Sequence, residues 1–191
     1  MTMFGRFSPA ARSAVLRAAD LAATAARPRI GTEFLLLALC EDAHVRPALH
    51  RQGVTRARVQ AAITEALGAP RPYEEGELLA ALGIDLAEVR RRARAVAPGP
   101  GRAWELRRSP LWPLRVAVTG PGRDLPFTGG GRKVLEVALW RGRRDGRVPA
   151  GPGDLLHGIL ADSHSNAARV LRHLGARPCA LVAALEHPDA A

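Results

Sequence analysis

Apolar residues recur at the three- and four-residue spacing of amphipathic helices through most of the chain. The longest apolar run covers residues 34–40 and follows Gly31, Thr32 and Glu33. The threonine hydroxyl can cap a helix, and the glutamate falls in the first turn, where the helix dipole favours a carboxylate. The run is far shorter than the roughly 20 residues that span a bilayer. It therefore predicts a buried helix at the centre of a small bundle.

Four helices with short connections are predicted in the first 67 residues. Ser8 and Pro9 are a favoured N-cap and first helical residue. A short helix over residues 46–51 is ended by Gly53, and Thr55 can cap the last helix. Short connections between helices of this length are typical of a compact bundle.

A weaker copy of this pattern begins about 120 residues further along the chain. Phe7, Gly31 and Leu35 return there as Phe127, Gly151 and Leu155. Downstream the match continues after a slip of about two residues, which we place in the loop before the third helix. We therefore predict an all-α fold with two four-helix units, at residues 1–67 and 125–191, separated by an insert at residues 68–124.

The predicted insert is unlike either unit. A helix is expected at about residues 85–96, and its Arg90–Arg94 cluster indicates either a solvated outer face or a surface for an acidic partner. Prolines and glycines are frequent from residue 98 onward, and 114–118 has the pattern of a short strand. A long irregular loop is uncommon in a compact domain. We expect partial order, with Trp104 and Trp112 holding the segment to the bundle.

The formal net charge is +10, and the pI is about 11.4. Such an excess of basic over acidic residues is typical of nucleic-acid binders, because basic groups release counterions from phosphates. Lys133 is the only lysine, however, so the charge also fits the arginine-rich composition that a GC-rich genome produces. A basic nucleic-acid-binding or regulatory protein stays an alternative. Since no apolar signal segment follows Met1, we expect a cytoplasmic protein.

No motif predicts catalysis, a metal or a cofactor. The segment 128–133 is not a Walker loop, because Val134 follows the lysine where Ser or Thr is needed; its backbone amides could still bind an anion. His44 and His164 fall in matching turns without partners at ligand spacing. Cys40 is interpreted as a small buried hydrophobe. We expect a non-enzymatic protein.

Several of these segments resemble a known family. Residues 3–12 and 30–37 are similar to the Clp N-terminal (Clp R) domain of ClpC-type unfoldases, and residues 125–128 and 167–175 to its second repeat. The insert is longer than the family's linker, and 82–85 suggests a stand-alone protein of actinobacterial type. The resemblance implies an eight-helix pseudo-twofold bundle that receives substrates and adaptors for the Clp protease.

In the ClpC branch, the resemblance implies that each repeat can hold a phosphoarginine through a helix-start threonine and a glutamate. Carried over, the first repeat has Ser8 and Glu33, whereas the second keeps Thr128 but has Gly153 in place of the glutamate, beside Asp154. The alternative is that Glu33 only stabilises its helix. The candidate ligand-binding residues are Ser8, Arg12, Thr32, Glu33, Thr128 and Arg132.

The resemblance also implies a hydrophobic partner surface at Phe4 and Phe127, which binds adaptors and cyclic-peptide antibiotics in the family. The alternative for Phe127 is packing between the repeats. No ATPase module follows within these 191 residues. We therefore expect a stand-alone module that presents proteins to a Clp machine or competes with it for adaptors, substrates or small ligands. Peptidase activity, a third alternative, is attributed to the family's protease partner.

Overall fold

The computed structural model describes residues 3–68, 105–108, 116–120, 123–146 and 149–186. Within these ranges eight α-helices form two units. The first unit holds α1 Pro9–Thr24, α2 Thr32–Leu39, α3 Arg46–Arg51 and α4 Arg56–Leu67, after a 3₁₀ turn at Met3–Arg6. The second holds α5 Gly129–Arg144, α6 Pro152–Leu160, α7 Asn166–His173 and α8 Pro178–Glu186. The predicted double four-helix fold is confirmed.

Four of the eight described helices are capped at their start by a hydroxyl side chain. Ser8 accepts from the Ala11 N–H at 3.2 Å, and its counterpart Thr128 accepts from the Gly131 N–H at 3.0 Å. The Thr55 side chain likewise accepts a hydrogen bond in the first turn of α4. These bonds satisfy backbone donors that have no intrahelical acceptor.

The prediction that Thr32 caps α2 is wrong. Gly31 is the N-cap of this helix, and Thr32 is the first helical residue. The Thr32 hydroxyl is buried and accepts from the Ala167 N–H in the first turn of α7, at 3.0 Å. The side chain therefore caps a helix of the other repeat, because the starts of α2 and α7 lie against each other.

The centre of the core is α2, as its apolar run predicts. Every residue of this helix is buried, including Leu36 and Leu39 at 0% exposure. The counterparts Leu156 and Ile159 of α6 are equally buried, and both helices belong to one continuous core. The two repeats therefore share one hydrophobic interior.

Short extended segments tie the repeats together reciprocally. Phe7 forms a parallel bridge with Ala150, and Ile30 forms the same bridge with Phe127. In addition, α4 of the first repeat packs against α7 of the second, and α8 packs against α3. Each repeat is thus completed by elements of the other, which gives the pseudo-twofold arrangement a physical basis.

The two-residue slip between the repeats lies inside the third helix and not in the loop before it. In the preceding turns, Asp42 Oδ1 accepts from the His44 N–H at 2.9 Å, and Asp162 Oδ1 accepts from the His164 N–H at 3.1 Å. These side-chain bonds hold both turns in the same form. The extra residues therefore lengthen α7 relative to α3.

The described part of the insert is a small antiparallel sheet. Strands β1 Glu105–Arg108, β2 Val116–Gly120 and β3 Arg123–Pro126 lie in the order β1-β2-β3. The predicted strand at 114–118 overlaps β2, and the other two strands were not predicted. The helix expected at about 85–96, the Arg90–Arg94 cluster, Trp104 and Trp112 lie outside the described residues.

The predicted domain boundaries stay predictions. None of the described helices is long and apolar enough to cross a membrane.

Candidate ligand site at the helix starts

The starts of α2, α5 and α7 converge in the middle of the molecule. The Ile30 N–H donates to the Pro126 carbonyl at 2.9 Å, and the Thr128 N–H donates to the Ile30 carbonyl at 3.0 Å. A methyl group on Gly131 would lie 2.8 Å from that Ile30 carbonyl, so the glycine permits the close approach. Thr32 then links this point to α7. Three helix ends with positive partial charge are thus neighbours.

Glu33 places a carboxylate at this convergence. The residue is 8% exposed, and Oε2 makes no hydrogen bond within the described residues. The carboxylate folds back over Gly31, at the N-cap of its own helix. A buried acceptor without a donor costs roughly 1–3 kcal/mol, and more when the group is charged. A ligand that donates hydrogen bonds to Oε2 would remove this cost.

The backbone pairing decides which predicted residues meet. The resemblance predicts that Ser8 acts with Glu33 in the first repeat, and Thr128 with position 153 in the second. In the structure, Thr128 is bonded to Ile30, close to Glu33, whereas the Ser8 N–H donates to the Ala150 carbonyl at 2.8 Å, close to the start of α6. Each candidate site therefore combines the two repeats, because their extended segments are exchanged.

A different carboxylate lies at the start of α6. Asp154 is 5% exposed, and its Oδ2 accepts from the Gly151 N–H at 2.8 Å. Asp154 thus caps α6 from the third helical position. Arg141 Nε lies 3.8 Å from Asp154 Oδ1, so the carboxylate also has a cationic neighbour.

Of the remaining predicted residues, Arg12, Arg132 and Phe127 have described side chains. Arg132 is half-exposed near the start of α5, and its Nε lies 3.5 Å from Glu136 Oε1. Its counterpart Arg12 is half-buried on α1. The Phe127 side chain belongs to the core at 8% exposure, which supports the packing role that the sequence also allowed. The Phe4 side chain lies outside the described structure, and a partner surface at these phenylalanines stays a prediction.

Residues 6–102 match the Clp repeat (R) N-terminal domain family. The chain belongs to this family.

Two solved structures share the fold of this Clp N-terminal domain. The N-terminal domain of the caseinolytic protease-associated chaperone ClpD from Arabidopsis thaliana is 18% identical, with a TM-score of 0.63 over 97% of this chain and 98% of that one. A chain from structural investigations of a malarial protein secretion system is 12% identical, with a TM-score of 0.58 over 96% and 95%. None of the curated proteins matches. The comparisons confirm the predicted family and fold.

Cys40 is a structural thiol of this domain. It is 2% exposed at the end of α2, and burial raises its pKa to about 12, although Arg56 acts in the opposite direction. The thiol is therefore neutral at physiological pH and a poor nucleophile. Among the described residues, no group of three or more His, Cys, Asp or Glu side chains could hold a metal ion.

Trp140 is an exposed aromatic residue that was not predicted. This residue is 59% exposed on α5, and the Arg144 guanidinium carbon lies 5.3 Å from its ring centroid. The available signal was its position opposite the apolar stripe of the helix, which predicts exposure of a large aromatic side chain. The counterpart in the first repeat is Asp20, so the repeats differ on this outer face.

Proposed function

We propose that this protein is a non-catalytic binding module of the Clp chaperone–protease system, which recognises substrate or adaptor proteins through a phosphorylated arginine held beside Glu33. One observation supports this proposal above the others. Glu33 Oε2 is buried next to the starts of α2 and α5, and none of the described residues donates a hydrogen bond to it. We propose that the protein acts in the cytoplasm.

The chemistry of phosphoarginine fits both halves of this site. Its guanidino group can donate N–H bonds to Glu33 Oε2, which has no donor among the described residues, and charge-assisted bonds of this kind are the strong ones. Its phosphate would face the helix starts, where backbone N–H groups and the helix dipole favour an anion. The site thus offers an acceptor and an anion-binding surface side by side.

Thr128 can take part without losing its capping role. Its hydroxyl oxygen accepts the Gly131 N–H at 3.0 Å, and the O–H hydrogen remains able to donate to a phosphate oxygen. Arg132, one turn into α5, adds a positive charge on the same side of the helix start. In this proposal Glu33 selects the guanidino group, while Thr128 and Arg132 select the phosphate.

Adaptor proteins or cyclic peptides are the proposed partners of the adjoining surface at Phe4. The Phe127 ring is buried in the core beside the start of α5. The non-catalytic part of the proposal has its own test: the purified chain should not hydrolyse an unfolded protein substrate. Hydrolysis that co-purifies with the chain would contradict it.

The binding proposal is tested by calorimetry of the full chain with phosphoarginine. Glu33→Gln removes the charge but keeps the size of the side chain, and we expect its affinity to fall at least tenfold, as for the loss of a charge-assisted bond. The matched control is Glu65→Gln, because Glu65 is an exposed carboxylate on α4. Equal binding by wild type and Glu33→Gln would refute the role of Glu33.

Free arginine and inorganic phosphate form the other arms of the same experiment. Each ligand satisfies only one half of the site, so each should bind more weakly than phosphoarginine. Thr128→Val should weaken phosphate and phosphoarginine binding but leave arginine binding unchanged. If arginine and phosphoarginine bind equally well, then the helix starts do not hold the phosphate.

A further inference from the structure

The outer side of α5 carries an aromatic side chain that the core does not use. Trp140 is 59% exposed, and no other large hydrophobic side chain among the described residues is exposed. Single exposed hydrophobic residues are common on protein surfaces. Trp140, however, is followed by Arg143 and Arg144, at the spacing that puts side chains on one face of a helix, and both arginines are exposed. The aromatic ring is thus part of a basic surface.

The fold does not neutralise the charges of these two arginines. The Arg144 guanidinium carbon lies 5.3 Å from the centroid of the Trp140 ring. Neither Arg143 nor Arg144 forms a salt bridge within the part of the chain that the structure describes, whereas Arg141 Nε lies 3.7 Å from Asp145 Oδ2. Two guanidinium groups beside the indole are therefore available to carboxylates from outside the chain.

The corresponding face of α1 has a different composition. Asp20 occupies the position of Trp140, and the two arginines are matched by Ala23 and Thr24. The helix α1 packs against α2 as α5 packs against α6. Packing of the shared fold consequently requires neither an aromatic side chain nor positive charges at these positions, so another role accounts for them in the second repeat.

We propose that Trp140, Arg143 and Arg144 form a docking surface for an acidic segment of a partner protein, in which a large apolar side chain is followed by a short run of carboxylates. We call it the α5 outer surface. It lies about three turns, or roughly 16 Å, beyond the start of α5, away from the Glu33 site. Docking there does not depend on phosphoarginine, so it goes beyond the proposed function.

The indole supplies the apolar contact. Tryptophan is enriched among the residues that dominate binding energy at interfaces, because a large, rigid ring buries much area at low entropic cost. The Arg144 guanidinium lies over this ring and restricts its motion before a partner binds. Val137, half-buried one turn earlier on the same face, extends the apolar area.

The arginines select the charge of the partner. They lie one turn, or roughly 5 Å, beyond Trp140 along the helix axis. In an extended segment, carboxylates about two positions after the apolar side chain would reach them. Guanidinium groups bind carboxylates through paired, charge-assisted hydrogen bonds. Their positive charge also attracts an acidic segment before contact, which speeds association at low salt.

Nearby carboxylates favour a short peptide over a nucleic acid. Glu136 is exposed one turn before Trp140, and Asp145 directly follows Arg144. A continuous phosphate chain would pass both carboxylates and be repelled by them. Single strands also bind to successive aromatic platforms, whereas only one exposed aromatic ring lies within the described ranges. A short acidic segment can place its charges over the arginines alone.

The test is fluorescence anisotropy of a labelled synthetic peptide mixed with the full chain. The peptide carries one phenylalanine followed by a short run of glutamates. Control peptides replace the phenylalanine by alanine, or the glutamates by glutamine. We expect saturable binding that weakens with added salt, and roughly tenfold weaker binding of each control peptide. Absence of saturable binding, or equal binding of all the peptides, would overturn the inference.

Variants of the chain locate the binding. Trp140→Ala, and the double variant Arg143→Gln with Arg144→Gln, should each weaken peptide binding by roughly tenfold. The matched control is Arg46→Gln with Arg51→Gln, because both are exposed arginines of α3 and the same charge is lost. Circular dichroism should be unchanged throughout, since all these side chains are exposed. Equal weakening in the control would indicate a nonspecific charge effect and overturn the inference.

Two further measurements separate the α5 outer surface from its alternatives. Glu33→Gln should bind the peptide as wild type does, and a loss of binding would place the peptide at the Glu33 site and overturn the inference. A short oligothymidylate should bind more weakly than the peptide and independently of Trp140. Tighter binding that is lost in Trp140→Ala would overturn the inference, because the surface would then recognise nucleic acid.

Discussion

The two repeats have the same backbone plan but different chemistry at corresponding helix starts. Both begin with a hydroxyl-capped helix, and both contain an aspartate-stabilised turn, at Asp42 and Asp162. At the next helix start, however, Glu33 Oε2 is buried with no hydrogen-bond donor among the described residues, whereas Asp154 Oδ2 accepts from the Gly151 N–H of its own helix start. The comparison teaches that the two copies share their packing, while a few polar substitutions make corresponding helix starts chemically different.

The repeats also differ in how closely their first two helices approach. A methyl group on Gly158 of α6 would lie 2.5 Å from the Val134 carbonyl of α5. The corresponding residue of α2 is Ala38, whose methyl group is accommodated and buried. The helix pair of the second repeat is therefore packed backbone to backbone, where the first repeat has a side chain.

The largest expected effect tests whether the repeats are one cooperative unit. Leu36→Ala and Leu156→Ala should each lower the free energy of unfolding by about 2–5 kcal/mol, because both side chains are fully buried in one core. Urea unfolding followed by circular dichroism should show a single transition in both variants. Separate transitions, with one repeat unaffected by the substitution in the other, would contradict the shared core.

A smaller effect is expected for Gly158→Ala. Overpacking against the Val134 carbonyl should lower stability by about 1–3 kcal/mol, since a backbone atom cannot move aside as a side chain can. The control on the same helix is Gly153→Ala, whose methyl group would contact only Leu185 at 4.0 Å and should leave stability unchanged or slightly higher. The measurement is again the urea midpoint. Equal midpoints for the two variants would show that α5 and α6 separate readily.

The smallest effect concerns Cys40, whose counterpart Leu160 cannot ionise. The thiol ionises at its ordinary pKa of 9.0 in the unfolded chain but at about 12 in the folded protein. Between these values the unfolded state binds fewer protons, so stability falls as the pH rises. Relative to Cys40→Ala, wild type should lose about 1.4 kcal/mol between roughly pH 8 and pH 10. Parallel pH profiles of the two proteins would show that the thiol is not desolvated.

Much of this fold could be predicted from the sequence, because its helices carry local signals. Ser8, Thr55 and Gly53 mark the ends of their helices through interactions within a few residues. The buried helix α2 could be predicted from its apolar run. The sheet was only partly predicted, since pairing of β1 with β2 depends on residues outside either strand.

The candidate sites could be predicted only in part. Glu33 is identifiable from its place in the first turn of α2, but its neighbour Thr128 is distant in the chain and is brought near by exchanged segments. For the same reason the hydroxyl of Thr32 was assigned to the wrong helix. Arg141 of α5 approaches both Asp154 of α6 and Glu186 of α8, and no pattern within any one helix indicates these contacts.

The parallel bridges between Phe7 and Ala150 and between Ile30 and Phe127 have a consequence for fragments of this protein. A half-molecule made alone would expose two extended segments whose backbone groups lack their partners from the other repeat. The corresponding segments of a second half-molecule could pair with them. Such a half should therefore self-associate into a true twofold dimer, or join the complementary half when the two are mixed. In the intact chain, the two repeats make the same pairings within one molecule.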